Sequence, residues 1–266
     1  MLRLLYVFMN EYGLNPFKKN LQGDHVFLTG AGAGIGRLMA IKLGKMGCLL
    51  SLSDINEAGL SETKDLLIVD GVPAANIMIC RCDVSKLDSV KDAAVQARTA
   101  FGPVTLLINN AGIVSGKSTL DSTEAMIEKT LFVNTISHLY TIREFMPDFE
   151  AKKRGHIVTI ASMAGMSGIP GLSDYCASKF GAFAIDEAVR LELKKSGAYS
   201  YIKTTCICPY FIDTGMFEQA KISFPLYLLK PQEVTDRIVA AVQQEENLVV
   251  VPWRGNFVWF VRLLPT

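Results

Sequence analysis

Tyr175 and Lys179 lie four residues apart in the stretch DYCASKFGA. On a helix that spacing sets both side chains on one face, one turn apart. A phenol with a pKa near ~10 is a poor base at neutral pH. A neighbouring ammonium favours the phenolate and draws the group toward general acid/base work. The same pair is also what the first turn of an ordinary packed helix would give, with Tyr and Lys at its surface. Ser162 stands 13 residues before the tyrosine, at the end of the apolar run HIVTIAS. Proton chemistry here needs further polar groups, a pocket, and elements that bring them together.

Those elements are legible as a rhythm. Short apolar runs at 25–30, 48–54, 77–83, 105–112, 156–162, 202–209 and 247–252 alternate with helix-length stretches at 34–46, 57–70, 86–101, 123–150, 174–196 and 231–245. Several runs are continuous Val/Ile/Leu, the mark of strands covered on both faces. Alternating β and α segments imply an α/β, doubly wound parallel β-sheet with helices on both faces. Pro147 marks a kink or a stop in the fourth helix. In such sheets a ligand lies beyond the carboxyl ends of the strands.

The first run ends in TGAGAGIG, residues 29–36, and passes straight into a helix. Gly30, Gly34 and Gly36, with Ile35, give a tight turn that a pyrophosphate can approach, its charge stabilised by the helix N-terminus. The second run ends at Asp54, where a carboxylate can accept hydrogen bonds from adenosine ribose hydroxyls and repel a 2′-phosphate; capping the next helix is its plainer role. That favours NAD over NADP, although the guanidinium of Arg37 nearby could partly restore NADP binding. Asp83 and Val84 follow the third run, placed for an adenine edge. Asn110, Ala111 and Gly112 close the fourth, where small residues let the backbone pass near a cofactor and Asn110 could equally tie strands together.

TGAGAGIG, NNAG, Asn134 within FVNT, and a serine 13 residues before Y-x-x-x-K together resemble the short-chain dehydrogenase/reductase family. The resemblance covers about residues 23–252 and implies a Rossmann fold and hydride transfer with a nicotinamide cofactor. It further implies that Tyr175 is the acid/base and that Ser162 holds the substrate oxygen. Lys179 reaches the nicotinamide ribose, and Asn134 supports a water relay to Lys179. Pro209, Ile212 and Thr214 match positions near the carboxamide and phosphates, while Tyr210 stands where the family usually has glycine. The stretches IKTTCICPYFIDTGMF, GIVSGKSTLDS and VVVPW…LLPT are similar to the membrane-associated retinol and retinal oxidoreductases, a group that also holds the type-11 and type-13 17β-hydroxysteroid dehydrogenases. The expected substrate is a small lipophilic alcohol or carbonyl, retinol or a relative, with a hydroxysteroid as the alternative and a non-catalytic lipid-droplet scaffold as a remote one. The resemblance also implies a homodimer through helices 123–150 and 174–196. The segment 215–230, apolar and aromatic, is expected to lie over the active site.

Composition narrows the partners. A net charge of +1 leaves no electrostatic footprint for nucleic acid, and 50% hydrophobic residues with a mean hydropathy of +0.27 make a greasy chain without an 18-residue apolar run. One domain at 23–252 is expected, between an apolar N-terminal segment at 1–22 and an aromatic tail at 253–266. Both ends suit a membrane interface or packing on the domain or a partner subunit. The tail's stop at Thr266 resembles a truncation. Cys80/Cys82 and Cys206/Cys208 are C-x-C pairs within strand-like runs, read as reduced core thiols and not as a metal site. A cytosol-facing surface of the endoplasmic reticulum or a lipid droplet, or otherwise the cytoplasm, fits reduced thiols and the absence of a signal-peptide pattern.

Overall fold

A computed structural model describes residues 18–215 and 228–257. Seven parallel strands form one sheet: β1 (His25–Thr29), β2 (Leu49–Asp54), β3 (Ile77–Arg81), β4 (Leu106–Asn109), β5 (Gly155–Ile160), β6 (Ile202–Pro209) and β7 (Leu248–Val251). Their spatial order is β3-β2-β1-β4-β5-β6-β7. The order reverses between β1 and β4, which opens a crevice at their carboxyl ends. The helices are α1 (Gly34–Lys45), α2 (Glu57–Val69), α3 (Leu87–Phe101), α4 (Glu124–Leu131), α5 (Ser137–Lys152), α6 (Ser173–Ser196) and α7 (Pro231–Gln244). The doubly wound expectation holds. The expected lid at 215–230 falls mostly outside the described residues, as do residues 1–17 and 258–266 of the two end segments.

Strand alternation divides the core. Val26 and Leu28 of β1 face α1 and α7, packing with Met39, Leu43, Val234 and Ile238. Phe27 between them faces the other way, onto Val90 of α3, Phe145 and Phe149 of α5 and Val189 of α6. All six cysteines are buried and none forms a disulfide.

The fourth helix settles one of the two outcomes expected at Pro147, a kink or a stop. It does not stop at Pro147, which lies inside α5. Phe145 and Phe149 on either side are fully buried, and Asp148 accepts from Arg98 Nε at 3.0 Å. Burying two phenylalanines is worth about 3–6 kcal/mol, enough to offset the ~3 kcal/mol cost of an interior proline. The irregularity sits upstream, where Phe132–Ile136 form a wide π turn between α4 and α5 with Asn134 at its centre.

At the amino ends of the strands, the described part of the N-terminal segment packs on the domain. Lys19 N–H donates to Gln243 O at 2.8 Å, and Leu21 is buried. Lys19 Nζ meets His156 Nδ1 at 2.8 Å, and His156 Nε2 meets Thr205 Oγ1 at 2.8 Å. Burial lowers the Lys19 pKa to about 8, and burial followed by the charges of Lys19 and Lys203 pushes His156 well down.

Candidate active site

The glycine turn is built for close approach. Gly30 has φ of +68°, and a Cβ there would fall 2.9 Å from Ala111 Cα; at Gly36 it would fall 2.0 Å from Gly30 O. The start of α1 therefore presses on the end of β1, and no side chain caps its first N–H groups. That N-terminus is free to receive an anion. Asn110 holds the crevice from the other side. Its Nδ2 donates to Thr29 O at 2.9 Å and Gly30 O at 3.0 Å, so β4 ends at Asn109 and the chain turns out under the glycine loop. Of the two roles open to Asn110, the tie between strands is the one its side chain performs.

Asp54 ends β2 with its carboxylate in the crevice. Oδ2 accepts from Gly32 N at 2.9 Å and Oδ1 from Asn56 N at 2.9 Å. Two bonds fix its orientation and leave acceptor capacity for two hydroxyls, since a carboxylate offers about four lone-pair sites. It does not cap α2, because Asn56 does. Arg37 is committed elsewhere: Nη2 donates to Gly32 O at 2.6 Å and Glu62 Oε2 at 2.7 Å, and Nε to Thr63 Oγ1 at 3.1 Å.

Tyr175 and Lys179 lie on the first turns of α6, both buried. Among the described residues Lys179 Nζ donates one hydrogen bond, to Ile160 O at 2.8 Å, and stands 5.8 Å from the Tyr175 ring centroid. The sequence suggested a phenol drawn down by this lysine together with a positively charged nicotinamide. Within the chain, desolvation wins: burial pushes Tyr175 up to about 12 against the lowering hydrogen bond with Ser162, and burial brings Lys179 down to about 8. The chain's own groups therefore leave the phenol protonated, and a further positive charge in the crevice is what would reverse that. Ser162 Oγ accepts from Ala164 N at 3.1 Å and donates to Pro209 O at 3.4 Å.

Asn134 is buried in the π turn. Its Oδ1 accepts from Ile113 N at 2.8 Å, and its Nδ2 donates to Ile113 O at 2.8 Å and Ser178 Oγ at 3.0 Å. Both amide hydrogens are thereby used in bracing the loop after β4 against α6. The side chain acts as a strut between that loop and α6. Two other titratable groups are buried on these helices: His138, lowered to about 3 by burial and then the Lys179 charge, and Asp186, raised to about 7 by burial against the opposing Arg190.

One cavity of about 630 Å³ is lined by Gly30, Gly34, Ile35, Gly36, Asp54, Asp83, Val84, Asn110, Ala111, Gly112, Ser162, Tyr175, Lys179, Pro209, Ile212 and Thr214. Every site residue expected from the sequence is brought to it except Asn134, which stands behind the wall. The sequence reading missed Val114, Met163, Ile169 and Phe211, which line the apolar end, and Lys129 at the rim. Three of these come from loops remote in sequence and carry no local pattern. Phe211 alone was signalled, as the neighbour of the unusual Tyr210.

The family described as short chain dehydrogenase matches residues 24–223. A human epidermal retinol dehydrogenase 2 is 42% identical over 250 residues, covering 92% of this chain and 79% of that protein. This chain belongs to the short-chain dehydrogenase/reductase family. It is an oxidoreductase acting on the CH–OH group, with retinol dehydrogenases among its relatives. A retinol dehydrogenase 10-B of Danio rerio is 36% identical over 275 residues, covering 95% of this chain and 81% of that one. A short-chain dehydrogenase/reductase from Burkholderia phymatum, solved in complex with NAD, superposes with a TM-score of 0.83 at 26% identity, covering 92% of this chain and 94% of that one. An actinorhodin polyketide ketoreductase with NADPH gives 0.75 at 24% identity, a likeness of fold, over 86% of this chain and 95% of that one.

Proposed function

We propose that the protein is an NAD-dependent dehydrogenase of a lipophilic alcohol, retinol or a close chemical relative. The observation that carries this reading is one cavity holding both the Asp54 carboxylate, beside the glycine turn, and Ser162, Tyr175 and Lys179 at an apolar end. NAD, when bound, supplies the acceptor for hydride leaving the carbinol carbon. Held as the phenolate by the positive charge that bound NAD+ would add beside the Lys179 ammonium, Tyr175 takes the hydroxyl proton of the substrate at its phenolic oxygen. Ser162 hydrogen-bonds the same substrate oxygen as charge develops there. Lys179 keeps an ammonium close to the phenol and has N–H groups left for ribose hydroxyls. Asp54 receives the adenosine ribose, while Asp83 and Val84 border the adenine and Ile212 and Thr214 the carboxamide and phosphates. Asp54 also disfavours a 2′-phosphate, and Arg37, bound to Glu62, is not poised to compensate. Reduction of the carbonyl is the same path reversed.

The relatives' names support retinol as the substrate class, and the hydrocarbon end of the cavity suits it. A homodimer through 123–150 and 174–196 is supported by Leu139 and Leu191 on those helices, 42% and 58% exposed. Among the described residues no helix is long and apolar enough to cross a membrane. Contact with a cytosol-facing membrane or droplet surface is accordingly assigned to the two end segments flanking the 23–252 domain.

The test is turnover with NAD+ and NADP+ on a panel of retinol, steroid and fatty alcohols, for wild type and Tyr175→Phe. NAD-preferring oxidation of retinol, lost in the variant with NAD binding retained, is expected. Preferential steroid turnover would move the substrate to the hydroxysteroid branch. Cofactor binding without turnover of any alcohol or matching carbonyl would overturn the enzymatic assignment.

A further inference from the structure

The apolar end of the cavity is assembled by three separate loops: Val114 after β4, Ile169 before α6, and Phe211 after β6. All three pack against one small cluster, Ala164, Leu172, Tyr175 and Cys176. Among the described residues, the Tyr175 phenol shares its apolar cluster with aliphatic side chains, Cys176 and one other aromatic ring, Phe211. That ring does not stand alone. Tyr210 meets Phe211 edge to face, with centroids 4.9 Å apart and planes at 89°. Tyr210 is itself fixed, since its N–H donates to Val251 O at 2.7 Å and its side chain packs on the core cluster of the opposite sheet face. A glycine at 210 would supply neither the ring nor the packing. Phe211 is thus a braced aromatic surface, half-buried, beside the acid/base.

A rigid aromatic surface discriminates by shape and by electron distribution. A flat, unsaturated segment can lie against the ring in an offset stack, which gains energy beyond the area it buries. A saturated chain of equal length gains only the area and loses more rotational freedom when it is ordered. We propose that Phe211, braced by Tyr210, is a specificity-determining residue that selects alcohols whose carbinol carbon is attached to a flat conjugated or aromatic segment over saturated alcohols of the same length. This rests on the reading of the cavity as an alcohol dehydrogenase site. It goes beyond that reading in naming which residue chooses the substrate and which chemical feature is chosen.

The experiment compares kcat/KM for two primary alcohols of equal carbon number, one conjugated from its second carbon and one saturated. Wild type, Phe211→Leu, Phe211→Tyr and Tyr210→Phe are each measured with NAD+. Conjugated alcohols differ in intrinsic ease of oxidation, so the quantity read is how the ratio of the two changes between variants. Phe211→Leu keeps an apolar wall but removes the ring. It should lower the ratio roughly 2- to 13-fold, mostly through KM of the conjugated alcohol. Phe211→Tyr and Tyr210→Phe keep both rings and should stay within about twofold of wild type, as an edge-to-face pair requires.

A second measurement needs no variant. A 4-alkylbenzyl alcohol should inhibit turnover by wild type more tightly than the matching 4-alkylcyclohexylmethanol. Equal inhibition constants, or an unchanged ratio in Phe211→Leu, would overturn the proposal while leaving the dehydrogenase intact. So would an equal fall for both alcohols, since that is loss of a general apolar wall. Wild type that binds NAD but oxidises no alcohol would instead overturn the underlying reading, and this proposal with it.

Discussion

At the amino ends of the strands, polar side chains are spent on one another. Asp24 accepts from Arg154 Nη2 at 2.7 Å and from Thr105 Oγ1 at 2.8 Å, His25 meets Gly102 O and Ser51 Oγ, and His156 lies between Lys19 and Thr205. At the carboxyl ends the same kinds of group are held with capacity in reserve. Lys179 gives one of its three N–H bonds to Ile160 O, Asp54 uses two of about four acceptor sites, and the start of α1 has no side-chain cap. Both ends bury titratable groups. Lys19 Nζ, like Lys179 Nζ, makes a single hydrogen bond among the described residues, so what separates the two ends is that Lys179 and Asp54 face the cavity. Burial alone is therefore a poor guide to function in this chain, since Lys19 and Lys179 are both brought to about 8 and only Lys179 faces the cavity.

Four experiments can break or sharpen this contrast. The largest effect belongs to Tyr175→Phe, which should cost about 10²–10⁴ in kcat, the usual worth of a general acid/base, with NAD binding unchanged by titration calorimetry. Retained turnover would show that the reserve at the carboxyl ends is not where the proton moves.

Acid should act next, and mainly through stability. Burial lowers the pKa of His25, His138 and His156, so below about 6.5 the folded chain binds fewer protons at these histidines than the unfolded chain does. Their stability contribution is complete above that pH and is lost as pH falls, by at most about 1.4 kcal/mol per unit for each. Asp186, raised to about 7, has the opposite sign between roughly 4 and 7, because the folded chain holds its proton while the unfolded chain releases it. Three histidines against one carboxyl leave a net loss on acidification from pH 6.5 to 5.5, measurable as a falling urea midpoint. A flat midpoint would mean that these histidines are not held neutral.

Arg154→Leu strips the partner from Asp24, which is 5% exposed, although the guanidinium itself is half in solvent. The expected loss is ~1–3 kcal/mol in stability, below the full value for a buried pair because of screening. kcat should not move, and a drop in kcat at unchanged stability would blur the distinction between the two ends. The smallest effect is expected for Asp54→Ala, roughly tenfold weaker NAD binding from one or two lost charge-assisted hydrogen bonds, with discrimination against NADP reduced. Equal affinities of wild type for both cofactors would remove Asp54 from that role.

The legibility of these regions in the sequence follows the range of the contacts. The strand rhythm and TGAGAGIG are local, and seven strands lie where apolar runs predicted them, shortened by a residue or more at most ends. The start of α6 was local too, since Tyr175 and Lys179 are one turn apart. The stop allowed at Pro147 does not occur because Phe145, Phe149 and Asp148 hold the helix from outside, and propensity cannot register tertiary packing. How deeply the Tyr175 phenol is desolvated in the chain alone was not legible, because it depends on Ala164 and Phe211 from two other segments. The apolar end of the cavity was hidden for the same reason. The clasp of Lys19 on His156 joins residues 137 apart, and no period or motif announces it.

The wide turn at Phe132–Ile136 carries one consequence for anyone counting along that helix. It absorbs an extra residue, so the stretches before and after it follow separate helical phases. Val133 and Lys129 line the cavity, whereas His138 and Thr141 turn inward to the buried side of α5. A wheel drawn with one period from 124 to 152 misassigns one half or the other. A systematic substitution scan should accordingly show sensitivity rising and falling with a 3.6-residue beat on each side, and a slip in that beat at Asn134.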